Sequence, residues 1–316
     1  MVILVAYSFN KVSIQIQRWF KLSQKQRTLG VISVGLGAML WGTIGPVIKL
    51  FPEGVSFQYS AFRSLFGSLI LWIVILFSNN KTRYTKQDLK PILLAGLGSG
   101  GFLPFFSLGF ERTGVAVASV VAIGLAPIFV GLITWALFKK SPGKTWLIGT
   151  TFGVIGITAL NWPGDDAIFN FAGFSFAALA AFSYSWQAIG MSDLSKRHSP
   201  FQTVAPAFTV ASLIQVPLTI GKSYEFLAEP KFLLGAIYGA IATLALAYSL
   251  FAFGVSRIGP ANAVTVGLLE PITAATLGII VLKENIGLLG FSGAIMVLIG
   301  LFIVGRPTQN SRYDLS

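Results

Sequence analysis

The chain has no cysteine and a single histidine, and charged residues make up only 11% of its 316 residues. The absence of cysteine excludes disulfides, thiolate catalysis and cysteine-ligated metals. With one histidine, the usual metal-site and Ser-His-Asp constellations are missing or nearly so. Soluble proteins carry roughly 25% charged residues. A soluble chain with so few charges would not have enough polar groups to cover its surface.

Hydrophobic residues dominate what is present. They make up 54% of the chain, which also holds 34 glycines and 27 phenylalanines, and the mean hydropathy is +0.75. About 20 apolar residues are needed to cross a bilayer as a helix. Ten stretches meet or approach that length, at about 30–50, 57–77, 91–110, 115–138, 145–161, 169–190, 201–220, 232–253, 260–282 and 286–305. The sequence therefore predicts an all-α membrane protein with ten transmembrane helices.

The distribution of basic residues predicts the orientation. The net charge of +12 would suggest nucleic-acid binding in a soluble domain, but here the basic residues cluster between apolar stretches. With the N-terminus inside, 17 of the 23 lysines and arginines fall on the cytoplasmic side and 4 on the opposite side. Cytoplasmic loops of membrane proteins are enriched in these residues. We predict that both termini are cytoplasmic, and we expect no nucleic-acid partner.

The two halves of the chain resemble each other. A shift of 144 residues lays Phe57-Gln58 on Phe201-Gln202, Pro127 on Pro271 and Lys139 on Lys283, and a shift of 145 lays Gly109 and Gly114 on Gly254 and Gly259. Five helices per half is an odd number, so equivalent helices cross in opposite directions, as in many secondary transporters. The predicted organisation is a basic cytoplasmic leader (1–28), two inverted five-helix repeats (29–161 and 169–305), an extracytoplasmic linker (162–168) and a cytoplasmic tail (306–316).

The carboxy-terminal segment carries a specific resemblance. Residues 267–301 place Leu-Glu-Pro inside a span, Lys283-Glu284 at its end and glycines through the last helix. This pattern resembles the EamA-type domain of the drug/metabolite transporter superfamily. In the first half, Leu40-Trp41-Gly42, Phe62-Arg63 and Leu125-Ala126-Pro127 resemble the same domain. One departure is Phe138-Lys139-Lys140, where the family often has a glutamate.

The resemblance implies a ten-helix metabolite carrier with a central cavity. In such a carrier, helices one to four and six to nine line the cavity, and helices five and ten are peripheral. Helix five contains Gly149-x-x-x-Gly153 and helix ten contains Gly290 and Gly300. Small residues of this kind suit close helix packing in membranes, which agrees with a scaffold role.

Charged residues inside the spans are the first candidates for a binding site, because charge within hydrocarbon is costly and usually faces a cavity or a partner. Glu270 lies near the middle of a span and directly precedes Pro271. It has the chemistry to bind a proton, a cation or an ammonium group, or to form a structural ion pair. Arg63 has the chemistry to hold a carboxylate, or it snorkels to the interface. Lys49, at the end of the first span, is either a third site residue or an interfacial anchor.

Aromatic and polar residues complete the candidate list. We expect the substrate and coupling candidates to be Glu270, Arg63, Lys49, Trp41, Tyr184, Gln187, Asn262, Thr265 and Ser119, with Pro127 and Pro271 as hinges. Each polar side chain has a structural alternative, since hydrogen bonds between helices are their commoner use. No residue is assigned to catalysis or to a metal.

Two further features are given structural interpretations. The run from Gly96 to Gly101 superficially resembles a phosphate-binding loop, but it lies inside a span and suits helix packing. His198 stands beside Lys196 and Arg197 in a predicted cytoplasmic loop. We expect it to be solvated.

The leading hypothesis is a secondary transporter of small polar metabolites. Amino acids or related zwitterions, moved outward by alternating access, fit the three charged candidates best. Alternatives within the superfamily are an exchanger of nucleotide-sugars or organic phosphates and a drug exporter. An intramembrane enzyme would need a nucleophile with its base, paired aspartates or metal ligands at membrane depth. The predicted spans contain no histidine, no cysteine and one clear mid-membrane carboxylate. A channel or a receptor would show no counterflow exchange.

The expected partners are a small-molecule substrate, the lipid bilayer and a coupling proton or ion, with no cofactor. The oligomeric state is left open. The expected location is the bacterial inner (plasma) membrane, as a multi-pass protein.

Overall fold

A computed structural model of the chain describes residues 24–79, 81–139, 142–162, 170–283 and 287–306, and all regular structure within these residues is helical. We number ten helices in chain order: α1 (Gln24–Ile48), α2 (Ser56–Phe77), α3 (Lys86–Gly114), α4 (Val117–Leu137), α5 (Lys144–Leu160), α6 (Phe171–Leu194), α7 (Pro200–Thr219), α8 (Pro230–Ile258), α9 (Pro260–Val281) and α10 (Gly287–Gly305).

Each predicted span falls on one of these helices. Among the described residues, eight helices are long and apolar enough to cross a membrane. Helix α5 is shorter, with 17 residues, and the 24-residue α6 carries a polar run from Ser183 to Gln187. Because α1 is described from Gln24 onward, residues 24–28 of the predicted leader are helical. The rest of the leader, the linker after residue 162 and the tail after residue 306 lie outside the described residues.

Helices α5 and α10 pack through reciprocal glycine contacts. A Cβ atom on Gly156 would lie 2.6 Å from the carbonyl oxygen of Gly293, and a Cβ on Gly293 would lie 2.6 Å from that of Gly156. Gly149 and Gly300 face each other in the same way. Gly149 and Gly293 are 144 residues apart, as are Gly156 and Gly300. The contact between Gly156 and Gly293 is therefore equivalent, by the internal repeat, to the contact between Gly300 and Gly149.

Unusual backbone conformations recur at the predicted shift. Gly114 and Gly259, 145 residues apart, have φ values of 80° and 78°. Lys139 and Lys283, 144 residues apart, both end a helix in the left-handed conformation, with φ values of 54° and 58°. Positive φ is sterically costly for residues with a side chain. The repetition of such a costly feature at one spacing means that the two halves share backbone geometry.

The glycine run in α3 packs the helix against two neighbours. Gly96 contacts Val210 of α7, and Gly98 lies against α6, where a Cβ would come within 2.6 Å of the backbone nitrogen of Gln187. Gly100 packs on Ile214 of α7. The run therefore brings helices together, and it also fixes the depth at which α6 presents Gln187.

Three helices are interrupted within their length. A turn at Thr43 breaks α1, and α8 contains a π-helical segment at Gly239–Leu246. Helix α9 is interrupted between the segments Pro260–Val266 and Leu269–Leu282. Discontinuous helices and π-bulges leave backbone groups outside the regular α-helical ladder and often mark functional sites.

A cluster of polar side chains joins the α2–α3 loop to the α6–α7 loop at one end of the bundle. His198 is buried there, with Nδ1 2.6 Å from Oγ1 of Thr82 and Nε2 3.1 Å from Oδ2 of Asp88. Its ring stacks on Tyr84 at 4.8 Å between centroids. The prediction of a solvated His198 was therefore wrong. The sequence showed only the neighbouring charges of the histidine and not the α2–α3 loop that covers it.

In the same cluster, Asp88 is 1% exposed and Nε of Arg197 donates a hydrogen bond to its Oδ1 at 2.8 Å. Burial raises the pKa of the Tyr84 phenol, and the nearby Asp88 carboxylate raises it further. The protonated hydroxyl group donates a hydrogen bond to the carbonyl oxygen of Gln202 at 2.8 Å. These contacts stabilise the arrangement of helices α3, α6 and α7 at this end.

Candidate functional site

Glu270 lies at the interruption of α9. Its N–H donates to the carbonyl oxygen of Gly267 at 2.9 Å, and Pro271 has no N–H to continue the ladder. The second half of the helix starts at Leu269, so Glu270 stands in its first turn. The exposed N–H groups of a helix start favour a negative charge there. Although Glu270 lies mid-span, its side chain is only half-buried, so part of its surface faces open space.

Arg63, on α2, is also half-buried. Its guanidinium acts electrostatically on the Glu270 carboxylate and on the Tyr248 hydroxyl group. Within the described ranges, the two charged side chains form no ion pair at 4.0 Å or less. Nε of Arg63 is buried and has no hydrogen-bond partner there either. A buried donor of this kind favours an external acceptor, because leaving it unmatched is costly.

An aromatic wall adjoins the two charges. The ring of Trp41 lies 4.6 Å from that of Tyr248, 5.5 Å from that of Phe251 and 6.5 Å from that of Tyr184, measured between centroids. Tyr248 is held from its other side by Phe208, at 4.5 Å. Tyr184 and Tyr248 are both within electrostatic reach of Glu270. The aromatic side chains are therefore beside the carboxylate and not spread over the lipid-facing surface.

Trp41 and the two residues that follow it anchor α1 to two other helices. Nε1 of Trp41 donates to the carbonyl oxygen of Thr243, in the π-helical segment of α8, at 3.1 Å. Gly42 lies against α9 at Glu270, and the Thr43 hydroxyl group bonds that of Tyr238 at 2.7 Å. The Trp-Gly-Thr triplet thus fixes α1 beside Glu270.

Gln187 adds an amide to the cluster. It is buried, 1% exposed, and it approaches Tyr248. Among the residues that the structure describes, its Nε2 has no hydrogen-bond partner. Buried amides nearly always find a partner. Gln187 and Arg63 thus both lie beside the Tyr248 hydroxyl group, and each has one nitrogen atom without a hydrogen-bond partner of good geometry among the described residues.

The other candidate residues lie in different surroundings. Lys49 is exposed at the end of α1, and Ser119 is half-buried on α4. Asn262 donates to the carbonyl oxygen of Ile258, at the end of the preceding helix α8, at 2.8 Å. Thr265 is buried and bonds Thr150 of α5 at 3.0 Å. Of the nine substrate and coupling candidates, the structure brings together Glu270, Arg63, Trp41, Tyr184 and Gln187.

Pro127 and Pro271, the two hinge candidates, are both buried inside their helices. Only the second stands at an interrupted helix. Pro127 lies within a continuous helical stretch of α4, and the carbonyl oxygen of Ala126 accepts a hydrogen bond from Ser185 at 3.2 Å.

Sequence reasoning did not single out Tyr248, Phe208 or the carbonyl group of Thr243. Tyr248 was one aromatic residue among many, and the sequence offers no signal that separates it from lipid-facing rings. A π-helical segment has no reliable sequence signature. Metal binding has no support in the described ranges, which hold no group of three His, Cys, Asp or Glu side chains suited to an ion.

Comparison with known proteins shows the family of this chain. The EamA-like transporter family matches residues 28–162 and 171–306. The chain is 30% identical over 280 residues to the uncharacterized transporter YwfM of Bacillus subtilis, covering 88% of this chain and 94% of that protein. It is 27% identical over 241 residues to the threonine/homoserine exporter RhtA of Escherichia coli, covering 75% of this chain and 78% of that exporter. These relatives are named as transporters and not as enzymes.

A solved crystal structure has the same fold. It superposes with a TM-score of 0.73 at 13% sequence identity and covers 87% of this chain and 95% of its own. At this identity the likeness concerns the fold alone.

Proposed function

We propose that this chain, which belongs to the EamA-like transporter family, carries small zwitterionic metabolites, amino acids above all, across the membrane. One observation carries the proposal. Arg63 and Glu270 lie within electrostatic range of each other without forming an ion pair, and Nε of Arg63 has no hydrogen-bond partner in the described chain. An α-amino acid has a carboxylate for the guanidinium and an ammonium group for the glutamate. Each charge would then be neutralised only when the substrate is bound.

The surroundings of the two charges favour a small substrate. Tyr184, Tyr248 and Trp41 supply apolar faces with polar edges, which suit the short side chain of an amino acid. Gln187 supplies a further unmatched donor. An exchanger of organic phosphates would favour several converging cations, and Arg63 is the one cation that the described residues place in this cluster. Export of threonine or homoserine, the substrates in the name of RhtA, is our specific proposal.

The transport cycle we propose is alternating access between two inverted repeats. The shared backbone geometry of the halves and the 144–145 residue shift support it. Ten crossings with both termini in the cytoplasm, the domain division at residues 162–168 and a bacterial plasma membrane location belong to the same proposal. The distribution of lysine and arginine supports this topology. Pro127 and Pro271 would be the points at which α4 and α9 bend.

The test is uptake of labelled amino acids into proteoliposomes that contain either buffer or unlabelled substrate. The panel includes threonine, homoserine, an aromatic amino acid and an organic phosphate. We expect saturable uptake of an amino acid that is accelerated by the same compound on the opposite side, and we expect Glu270→Gln to slow this uptake by about tenfold. Glu225→Gln, which removes an exposed carboxylate, is the matched control. Uptake of the phosphate alone would contradict the proposal and favour the exchanger.

A further inference from the structure

A concave surface lies between α1, α9 and α10, on the outside of the bundle. It encloses about 600 Å³ and is lined almost entirely by apolar side chains, with Arg306 at one end. Met39 on one wall is 45% exposed, and Phe302 on another is 64% exposed. Because the exposed side chains of Met39 and Phe302 face the hydrocarbon around the protein, the groove opens sideways into the membrane.

The length of the groove matches one half of a bilayer. Leu298 and Arg306 both line it and are eight residues apart, which is about 12 Å along an α-helix. The hydrocarbon core of a membrane is roughly 30 Å thick, so one leaflet contributes about 15 Å. An acyl chain lying in the groove would therefore have its ester end near Arg306 and its methyl end near the middle of the bilayer.

Positive charge is concentrated at that end. Arg306 is exposed, and its guanidinium lies 4.5 Å from the centre of the Phe302 ring. Nη2 of Arg27 donates to the carbonyl oxygen of Val304 at 3.1 Å, which brings a second guanidinium to the same helix end. In the described part of the chain, no carboxylate forms an ion pair with Arg306. The phosphate group of a lipid is the anion that the membrane offers at this depth.

We propose that this groove is a binding site for one anionic phospholipid, with an acyl chain between α1, α9 and α10 and the headgroup phosphate on Arg306. The floor of the groove includes Leu269, the residue before Glu270. A lipid bound there would contact the helical turn that carries the glutamate and would support the spacing of α1 and α9. The inference does not depend on the substrate proposed above.

Native mass spectrometry of the full-length protein tests this site directly. The protein, in a neutral detergent, is mixed with dioleoyl phosphatidylglycerol or with dioleoyl phosphatidylcholine at equal concentrations. We expect one phosphatidylglycerol molecule to be retained, with an occupancy about tenfold above that of phosphatidylcholine, because the choline ammonium group offsets the charge of its phosphate and repels the Arg306 guanidinium. Arg306→Gln should remove the preference, and Arg306→Lys should keep most of it.

Two control variants match these changes. Arg112 lies 5.0 Å from the Phe176 ring at the opposite end of the bundle, so Arg112→Gln removes a similar charge away from the groove and should leave the preference intact. Gly35→Leu should lower binding of both lipids, because a Cβ there would contact only Leu269, at 3.6 Å, and the side chain would extend into the groove. Gly45 has no atom within 4 Å of a Cβ, so Gly45→Leu should change nothing. Equal retention of the two lipids by the unaltered protein, or equal losses in Arg306→Gln and Arg112→Gln, would overturn the proposal.

Discussion

The carbonyl oxygen of Glu270 lies against Gly42, so that a Cβ on Gly42 would come within 2.6 Å of it. The same Cβ would lie 2.6 Å from Cβ of Thr273. Real Cβ atoms essentially never approach other atoms so closely. Helix α1 therefore rests directly on the turn of α9 that presents the glutamate, and the absence of a side chain at position 42 sets that distance.

Gly42→Ala should impair transport by displacing α1 from α9. Overpacking of this kind costs about 1–3 kcal/mol, and the displacement would move Trp41 relative to Glu270. We expect the initial uptake rate to fall by about tenfold or more, with a smaller change in the amount of folded protein. Gly45→Ala, three residues further on, adds a methyl group to open space. The same rate for both variants would show that the close approach does not matter.

Trp41→Phe should separate a role in substrate binding from a role in stability. The substitution keeps an aromatic ring beside Tyr248 but leaves the carbonyl oxygen of Thr243 without its donor, at a cost of about 1–3 kcal/mol. Trp72 is a matched control, because its Nε1 donates to Oγ1 of Thr209 at 2.9 Å outside the cluster.

Both Trp→Phe variants should therefore lower the thermal unfolding temperature. Only Trp41→Phe should also raise the apparent KM for the substrate. A raised KM in Trp72→Phe as well would mean that the effect comes from general loosening of the bundle.

Asp88→Asn should destabilise the loop cluster around His198. The carboxylate is 1% exposed and accepts hydrogen bonds from Nε of Arg197 and from the backbone N–H of Thr85. Removing its charge leaves the guanidinium with only the longer, exposed pair to Asp193, at a cost of about 1–3 kcal/mol. We expect a lower unfolding temperature in a fluorescence-based thermal assay.

Asp193→Asn is the control for that experiment. The Asp193 side chain is 43% exposed, and its ion pairs with Lys196 and Arg197 are 3.7 and 3.5 Å long. Exposed pairs contribute about 0–1 kcal/mol, so this variant should unfold close to the temperature of the unaltered protein. An equally large loss in Asp193→Asn would assign the stabilisation to the arginine network in general.

The sequence was sufficient to predict the helices because their signal is local. Apolar length predicted the positions of the helices, and the shift that aligns Gly114 with Gly259 also aligns their positive φ values. The candidate site was predictable only where a residue was unusual for its environment. Glu270 and Arg63 stand out as charged residues inside predicted spans, and Trp41 belongs to the Leu40-Trp41-Gly42 stretch that resembles the first helix of the family.

The internal repeat gave no information about the position of the candidate site. The residues 144 positions from Glu270 and Arg63 are Ala126 and Ala207, both buried. Each half thus contributes one charge to the cluster, and neither charge has an acidic or basic equivalent in the other half. Tyr248 and His198 depend on contacts between helices that are distant in sequence, so their surroundings follow only from the folded structure.

The central claim is that Arg63 holds the carboxylate of the substrate and Glu270 its ammonium group. The most direct measurement is inhibition of labelled amino-acid uptake by the unlabelled amino acid, its methyl ester and its N-acetyl derivative, for the unaltered protein, Arg63→Gln and Glu270→Gln. We expect the unaltered protein to bind both derivatives at least about tenfold more weakly than the amino acid. Arg63→Gln should lose only the discrimination against the ester, and Glu270→Gln only that against the N-acetyl derivative. Unchanged discrimination in both variants would contradict the account.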